Sequence, residues 1–402
     1  MLSKHRTAIS LVVIVFILLL AAAAIFWARG FKPNFKTGKI DRTGLIVATS
    51  TPTGAQVYLD DRLTSATDTN IAYLEPKTYK VRIEKDGYTT WVKDIQIKAD
   101  LATEIKALLF PTAPEFKPLT TTGAAEPNLS PDGTKIVYGA PGPRGGLYLL
   151  PMSDRPFPFR QNARLLAKNQ GNFDFTKAKF IWSPDSKQII ARFTNEKNQV
   201  TANLLIDTDK TEQELRDITG AQAATLAAWQ EELISRAQTQ AIIAPDEVKQ
   251  ATGEAKVNNK QETINQKPTT QLPNYPTTQL NYYPTGLIFS PDEEKILYLD
   301  KNQKYQIYDL KTKKVSTLPD LPNLLNLSWY PDSNHLVIAE NQSNGGQIAI
   351  IESDGTNKMI VFTGKFENGF VFAHPAGTSL IILTTLTQQE GSLPNLYSVN
   401  LK

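Results

Sequence analysis

One short element recurs along this chain and restricts its fold more than any other feature. It reads Leu129-Ser130-Pro131-Asp132-Gly133, then Trp182-Ser183-Pro184-Asp185-Ser186, Phe289-Ser290-Pro291-Asp292-Glu293 and Trp329-Tyr330-Pro331-Asp332-Ser333, with a degenerate last copy at Ala373-His374-Pro375-Ala376-Gly377. Each copy precedes a β-rich run such as Lys135-Ile136-Val137-Tyr138 or Lys295-Ile296-Leu297-Tyr298, and a second run follows, as in Gly146-Leu147-Tyr148-Leu149 or Tyr305-Gln306-Ile307-Tyr308. Motif prolines lie 40 residues apart from Pro291 to Pro331 and 44 apart from Pro331 to Pro375. That period suits one four-stranded sheet per repeat, arranged radially as a propeller blade. The last repeat reaches Lys402 before an outer strand, and an unclaimed β segment at Phe116–Thr120 precedes the first repeat. It is expected to complete the final blade, because closure removes exposed sheet edges.

The motif's chemistry is mechanical. Proline presets φ near −65° at the first turn position, aspartate can bond nearby backbone, and Gly or Ser tolerates a tight exit. The preceding Trp or Phe offers a large apolar surface to pack between sheets. With five copies over residues 112–402, the region resembles the TolB-type propeller, a fold similar to the lid of prolyl oligopeptidase-like enzymes. The resemblance implies a five- or six-bladed β-propeller.

One interval is out of register, since Pro184 and Pro291 are 107 residues apart. An insertion over 211–284 accounts for the excess. Residues 211–240 read as helix, with Leu226, Trp229, Leu233 and Ala237 forming one apolar stripe that would dock on the propeller. Residues 246–285 are rich in Gln, Asn, Thr and Pro and include the tandem octets Pro268–Tyr275 and Pro276–Tyr283. Such composition does not build a core of its own. Residues 246–281 are therefore expected to be dispensable for stability and to contact partners, although a degenerate sixth blade within the tract remains open.

Residues 44–110 carry a different β pattern. Ala55, Val57 and Leu59 share one face of a strand, and Tyr79-Lys80-Val81-Arg82-Ile83 alternates as strictly, which places Lys80 and Arg82 on a solvated face with Lys85 at its exit. Turn formers flank both runs at Pro52-Thr53-Gly54, Asp60-Asp61 and Asp86-Gly87. The expectation is a small antiparallel sandwich. Pro52-Thr53-Gly54-Ala55 matches three letters of a Pro-Glu-Gly-Ala signature, and Leu74-Glu75-Pro76, Tyr79-Lys80-Val81, Gly87-Tyr88 and Trp91 follow in the order of the PEGA domain, which this segment resembles. It departs at Lys77, where glycine is usual, and at Ser65–Asn70, where a Gly-x-Thr-Pro turn would stand. The resemblance implies a non-enzymatic extracytoplasmic module of envelope proteins.

After a seven-residue tail, Ala8–Ala28 is apolar but for Ser10, long enough as helix to cross about 30 Å of hydrocarbon. It reads as an uncleaved transmembrane helix, since it exceeds the core of a signal peptide, the competing reading with Ala21–Ala24 as cleavage site. Arg29, Lys32, Lys36, Lys39 and Arg42 in the linker 29–43 outnumber Lys4 and Arg6 and favour a cytoplasmic body by the positive-inside rule, whereas the domain resemblances favour an exported one.

Candidate reactive groups are few. The three histidines are dispersed: His5 before the apolar helix, His335 opening a strand, His374 replacing a motif serine. No Gly-x-Ser-x-Gly elbow occurs, so no enzyme activity and no cofactor are expected. Asp207-Thr208-Asp209 with Glu212 lacks the glycine and ligand spacing of a calcium loop and reads as a polar turn. Arg144, Arg155, Arg160 and Arg164 could meet an acidic polymer but read as a solvated loop. A net charge of +3 without any dense basic run excludes nucleic acid as an expected partner. With no cysteine, disulfides and thiolate chemistry are excluded. The expected role is a membrane-anchored binding or scaffolding protein with a protein or cell-wall glycan partner; the rival is a cytoplasm-facing sensor.

Overall fold

The computed structural model describes residues 2–28, 31–34, 39–152, 163–252, 280–342, 345–367, 369–386 and 393–402, with side chains at 10–25 and from 42 onward. Two compact units divide the chain, Met1–Thr112 and Ala113–Lys402.

In the first unit, α1 (Leu2–Ala28) is helical, and its large side chains between Leu11 and Leu20 are exposed, from 46% at Val15 to 67% at Val12. Among the described residues no helix is long and apolar enough to cross a membrane. Within the expected linker, β1 (Phe31–Asn34) and β2 (Lys39–Arg42) pair antiparallel.

Two sheets then face each other. One is a three-stranded sheet of β3 (Gly44–Thr51), β6 (Thr69–Leu74) and β9 (Ala102–Leu108); the other joins β4 (Gln56–Leu59), β5 (Arg62–Ala66), β7 (Thr78–Glu84) and β8 (Trp91–Gln96). The alternating faces meet as expected: Ala55, Val57, Leu59, Tyr79, Val81, Ile83 and Trp91 are buried with Ile46 and Ile105. The wholly antiparallel arrangement is corrected, because β3 and β9 pair in parallel, Leu45 with Ala102 through Thr51 with Leu108. Periodicity assigns a strand's face but not its direction, and here the chain crosses the opposing sheet before returning. At the Pro52 signature, Gly54 takes φ +73° and its N–H donates to the Thr67 carbonyl (2.9 Å), while the Thr67 N–H returns to Ala55 (2.8 Å). The segment 65–70, divergent in sequence, thus still serves as the partner of that turn.

Among the described residues the second unit forms five four-stranded antiparallel sheets, like propeller blades. Strand β10 (Phe116–Pro118) belongs to the last of them. Sheet 1 comprises β11 (Ala125–Leu129), β12 (Lys135–Ala140), β13 (Gly146–Pro151) and β14 (Arg164–Lys168). Sheet 2 comprises β15 (Lys179–Trp182), β16 (Gln188–Thr194), β17 (Val200–Asp207) and β18 (Arg216–Asp217), after which come α2 (Gln222–Ile243) and α3 (Asp246–Thr252). Sheet 3 holds β19 (Ile288–Phe289), β20 (Lys295–Leu299), β21 (Tyr305–Asp309) and β22 (Lys314–Thr317); sheet 4 holds β23 (Leu324–Trp329), β24 (His335–Gln342), β25 (Gly345–Glu352) and β26 (Met359–Gly364). Sheet 5 is β27 (Val371–Ala373), β28 (Ser379–Thr384) and β29 (Asn395–Asn400), completed by β10 through the pairs Phe116–Val399 and Pro118–Tyr397. The expected strand-exchange closure is present.

Strand alternation gives every sheet two apolar faces. Val137, Leu147 and Leu149 of sheet 1 meet Phe180, Trp182, Ile189 and Leu204 of sheet 2. Leu297 and Ile307 of sheet 3 meet Leu327, Leu336 and Ile338 of sheet 4, and Phe372 and Ile381 of sheet 5 meet Ile136 and Tyr138 of sheet 1. The second face of sheet 2 behaves differently: Ile181 and Ile190, with Ile218 just past β18, are covered by Leu226, Trp229 and Leu233 of α2. The facing side of sheet 3, Ile296, Tyr298 and Tyr308, is covered by Ala244 and by Val248 of α3.

These helices correct three expectations about the insertion. Its start moves past β18, which completes sheet 2, so residues 211–217 belong to the repeat. The helix begins at Gln222 rather than 211, although its stripe is as expected, with Leu226, Trp229, Leu233 and Ala237 all buried. The tract 246–281 is not dispensable as a whole, since Val248 (0% exposed) and Leu280 (2%) lie in apolar clusters. The physical reason is that blade faces left without a neighbouring sheet need another apolar cover. A sheet within 253–279, and with it the first octet, lies outside the described residues.

Candidate binding cavity

The repeated motif builds the rim. In all five copies the second residue's N–H donates to the carbonyl five residues on, from Ser130 to Lys135 through His374 to Ser379, at 2.8–2.9 Å. The fifth residue's N–H returns to the second residue's carbonyl, and that fifth residue takes a positive φ: Gly133, Ser186, Glu293, Ser333 and Gly377 lie between +58° and +70°. In the three Ser-Pro-Asp copies the serine hydroxyl donates to the aspartate at 2.5–2.6 Å and accepts the N–H of the following strand. Burial opposes ionisation of Asp132, Asp185 and Asp292, yet hydrogen bonds from those serines and from nearby N–H groups prevail and hold all three below the ordinary carboxylate value. In the fourth copy Tyr330 replaces serine, and Asp332 is met instead by His335 Nδ1 at 2.6 Å.

The same motif ties neighbouring sheets together. Trp182 Nε1 donates to the Asn128 carbonyl (3.4 Å) and Asp132 N–H to Ser186 Oγ (3.2 Å), joining sheets 1 and 2. Between sheets 3 and 4 the equivalents are Trp329 to Ile288 (3.2 Å) and Asp292 to Ser333 (3.1 Å). Sheets 4 and 5 are joined by Tyr330 OH to the Gly377 carbonyl (2.5 Å) and Asn326 to Val371 (2.6 Å). From sheet 2 toward sheet 3 the bonds run through the inserted segment instead: Tyr282 OH to the Trp182 carbonyl (2.6 Å), Arg236 to Pro184 (3.1 Å), and Lys301 N–H to the Ala251 carbonyl at the end of α3 (3.0 Å).

The first strands of all five sheets border one cavity of about 490 Å³. Phe180, Phe289, Trp329, Phe370 and Phe372 line it, and Tyr282 and Tyr283 close the interval between sheets 2 and 3. Among the described lining residues Asp132 at the rim is the one carboxylate, and no Lys, Arg or His is among them. Ser328 Oγ is buried in this wall without a hydrogen-bond partner. The volume and the mix of ring faces with few polar groups are those of a small-ligand site.

The residues weighed from sequence do not converge here. Asp207 pairs with Lys210 (3.3 Å) and Glu212 with Lys168 (2.8 Å), so the acidic turn is spent on cations. Among the described residues no group of three or more His, Cys, Asp or Glu is placed to hold a metal. Arg164 donates to the Thr208 carbonyl (3.2 Å) and Arg144 lies in the turn before β13; Arg155 and Arg160 lie outside the described residues. Lys80 is exposed as expected, while Arg82 is half-buried over the Tyr58 ring at 3.9 Å. The cavity itself was not singled out from sequence. Its rings come from segments spread between Phe180 and Phe372, and the local sign was the aromatic before two of the motif copies, Phe289 and Trp329.

Residues 43–112 match the PEGA domain family. No curated protein matches the chain. Among solved structures the chain is similar to TolB from Acinetobacter baumannii, at 13% identity over 86% of this chain and 69% of that one, with a TM-score of 0.21. A eukaryotic initiation factor matches at 14% identity over 69% of this chain and 56% of that one, with a TM-score of 0.21. The chain therefore carries a PEGA domain at 43–112, followed by a β-rich region of repeated four-stranded sheets.

Proposed function

We propose that this is a membrane-anchored envelope protein without catalytic activity, which binds a compact ligand in the cavity of a five-bladed TolB-like propeller. The carrying observation is that cavity: seven aromatic side chains from sheets 2 to 5, their approaches and the insertion, one carboxylate among the described lining residues, and a hydroxyl left without a partner. Ring faces favour apolar or sugar-ring surfaces, and the absence of any cation among the lining residues disfavours an anion. A segment of cell-wall glycan or the ring-bearing part of a protein partner fits this description. The anchor reading rests on the apolar run Ala8–Ala28 and on the exposure of Leu11–Leu20, since a helix bare of polar side chains over that length is costly in water. The PEGA domain supports an exported body.

Full-length protein purified in nanodiscs and analysed by native mass spectrometry tests the site. A ligand mass retained by the wild type should vanish in Ser328→Trp, which fills the cavity, with the melting temperature monitored to confirm folding. Retention of the same ligand in that variant would sink the reading. A cytoplasm-facing sensor is the second reading, favoured by the five basic residues from Arg29 to Arg42. Protease added to intact spheroplasts separates the two: cleavage of the body indicates export, and protection indicates the sensor.

A further inference from the structure

The ring of sheets has one joint unlike the others, and it borders the cavity. Sheets 1–2, 3–4 and 4–5 are linked directly, strand to strand or turn to turn, by the motif's own Trp, Tyr, Asp and Ser groups. Between sheets 2 and 3 the apolar faces are covered separately, one by α2 and the other by α3, and the cavity wall there is the returning segment Leu280–Tyr283. That segment is held by Leu280 packed on α2, by Asn281 N–H donating to Gln230 Oε1 (3.1 Å), and by the Tyr282 hydroxyl on the Trp182 carbonyl.

We propose that this joint is the lateral doorway of the cavity, and that the Tyr282–Trp182 hydrogen bond is its latch. The inference deepens the binding reading by naming the route a ligand takes. Opening it does not break a sheet. The motif bonds at the other joints stay intact while the segment swings away from Trp182, because the wall at this point is a loop rather than a paired strand. Burial pushes the Tyr282 hydroxyl's pKa well up, so it remains a neutral donor at physiological pH, and the latch is insensitive to pH there. At the joint of sheets 4 and 5 Tyr330 makes a bond of the same chemistry to Gly377, with its hydroxyl likewise buried, but it ties two motif turns together. The two tyrosines thus offer a matched pair.

The chain has no cysteine, so a single engineered thiol reports on the cavity without competition. Ser328→Cys places it in the wall, and its reaction rate with iodoacetamide is measured on the full chain with no ligand present. Loss of one buried hydrogen bond is expected to raise the open population, and hence the rate in Ser328→Cys/Tyr282→Phe, by about fivefold. Ser328→Cys/Tyr330→Phe should react within about twofold of the single variant, both tyrosine variants losing a comparable bond. Equal rates in all three proteins would overturn the doorway, as would the same acceleration in both, which would signal general loosening. Because no ligand takes part, a failed search for a ligand leaves this result intact, and a failed doorway leaves the binding reading to its own test.

Discussion

The joint between sheets 1 and 2 and the interval between sheets 2 and 3 start from the same kind of surface. Each presents alternate residues of β-strands, Val137, Leu147 and Leu149 in the first case and Ile181, Ile190 and Leu205 in the second. The first is covered by another sheet and stitched by motif bonds, and the second by a helix whose stripe of Leu226, Trp229 and Leu233 has no sequence relation to the repeat. A blade face asks for apolar area of the right shape, not for a particular secondary structure. The insertion, set apart by its sequence, is in part a structural member of the ring, and the loop that returns from it lines the cavity between sheets 2 and 3.

If the helical cover is equivalent to a sheet, removing its largest anchor should hurt as much as removing one from a regular joint. Trp182→Ala and Trp229→Ala, 1% and 8% exposed in the native chain, should each lower unfolding stability by about 3–5 kcal/mol in urea titrations. A loss below about 1 kcal/mol for Trp229→Ala would break the comparison, because a contact of that kind is only surface docking.

The motif bonds that distinguish the regular joint are worth less individually. Ser183 Oγ donates to Asp185 and accepts the N–H of Gln188, and the side chain is buried, so Ser183→Ala should cost about 1–2 kcal/mol by the same titration. Retained wild-type stability would show that the turn is held by its backbone bonds alone.

How far the sequence carried these distinctions depends on what periodicity encodes. The five motifs, the closing strand at Phe116–Pro118 and the buried stripe of α2 were all legible, because each is a local pattern with a fixed spacing. Helix α3 was not, since seven residues with Val248 as their one buried side chain make no period. Tyr282 was hidden in an octet whose composition suggested only a solvated tract. The parallel pairing of β3 with β9 and the assembly of the cavity from Phe180, Phe289, Trp329 and Phe372 depend on contacts between distant segments, which no window of sequence contains.

Acid gives a smaller effect that sharpens the role of the motif. The native values of Asp132, Asp185 and Asp292 are depressed, so their stabilisation is present above the unfolded carboxylate value of about 3.9 and is lost as pH falls through the lower native values. Between pH 5 and pH 2 the wild type should therefore lose urea resistance more steeply than the triple variant Asp132→Asn/Asp185→Asn/Asp292→Asn. Parallel pH profiles would assign the acid sensitivity elsewhere. Smallest of all should be the effect of replacing residues 254–278 with a Gly/Ser linker of equal length, a change in stability within about 0.5 kcal/mol, because the replaced tract is polar and spares Val248 and Leu280.

The most direct test of the ring's unequal joint is a distance. With no native cysteine, spin-label pairs can be placed on exposed outer-strand positions of neighbouring sheets: Arg164 with Arg216, Arg216 with Lys314, and Lys314 with Ile360. Directly packed sheets lie about 10 Å apart, and an interposed helical layer adds roughly another 10 Å. Pulsed dipolar spectroscopy on the full chain should therefore give a distinctly longer distance for the pair 216 and 314 than for the other two. Three equal distances would contradict the helical cover and restore a regular contact between sheets 2 and 3.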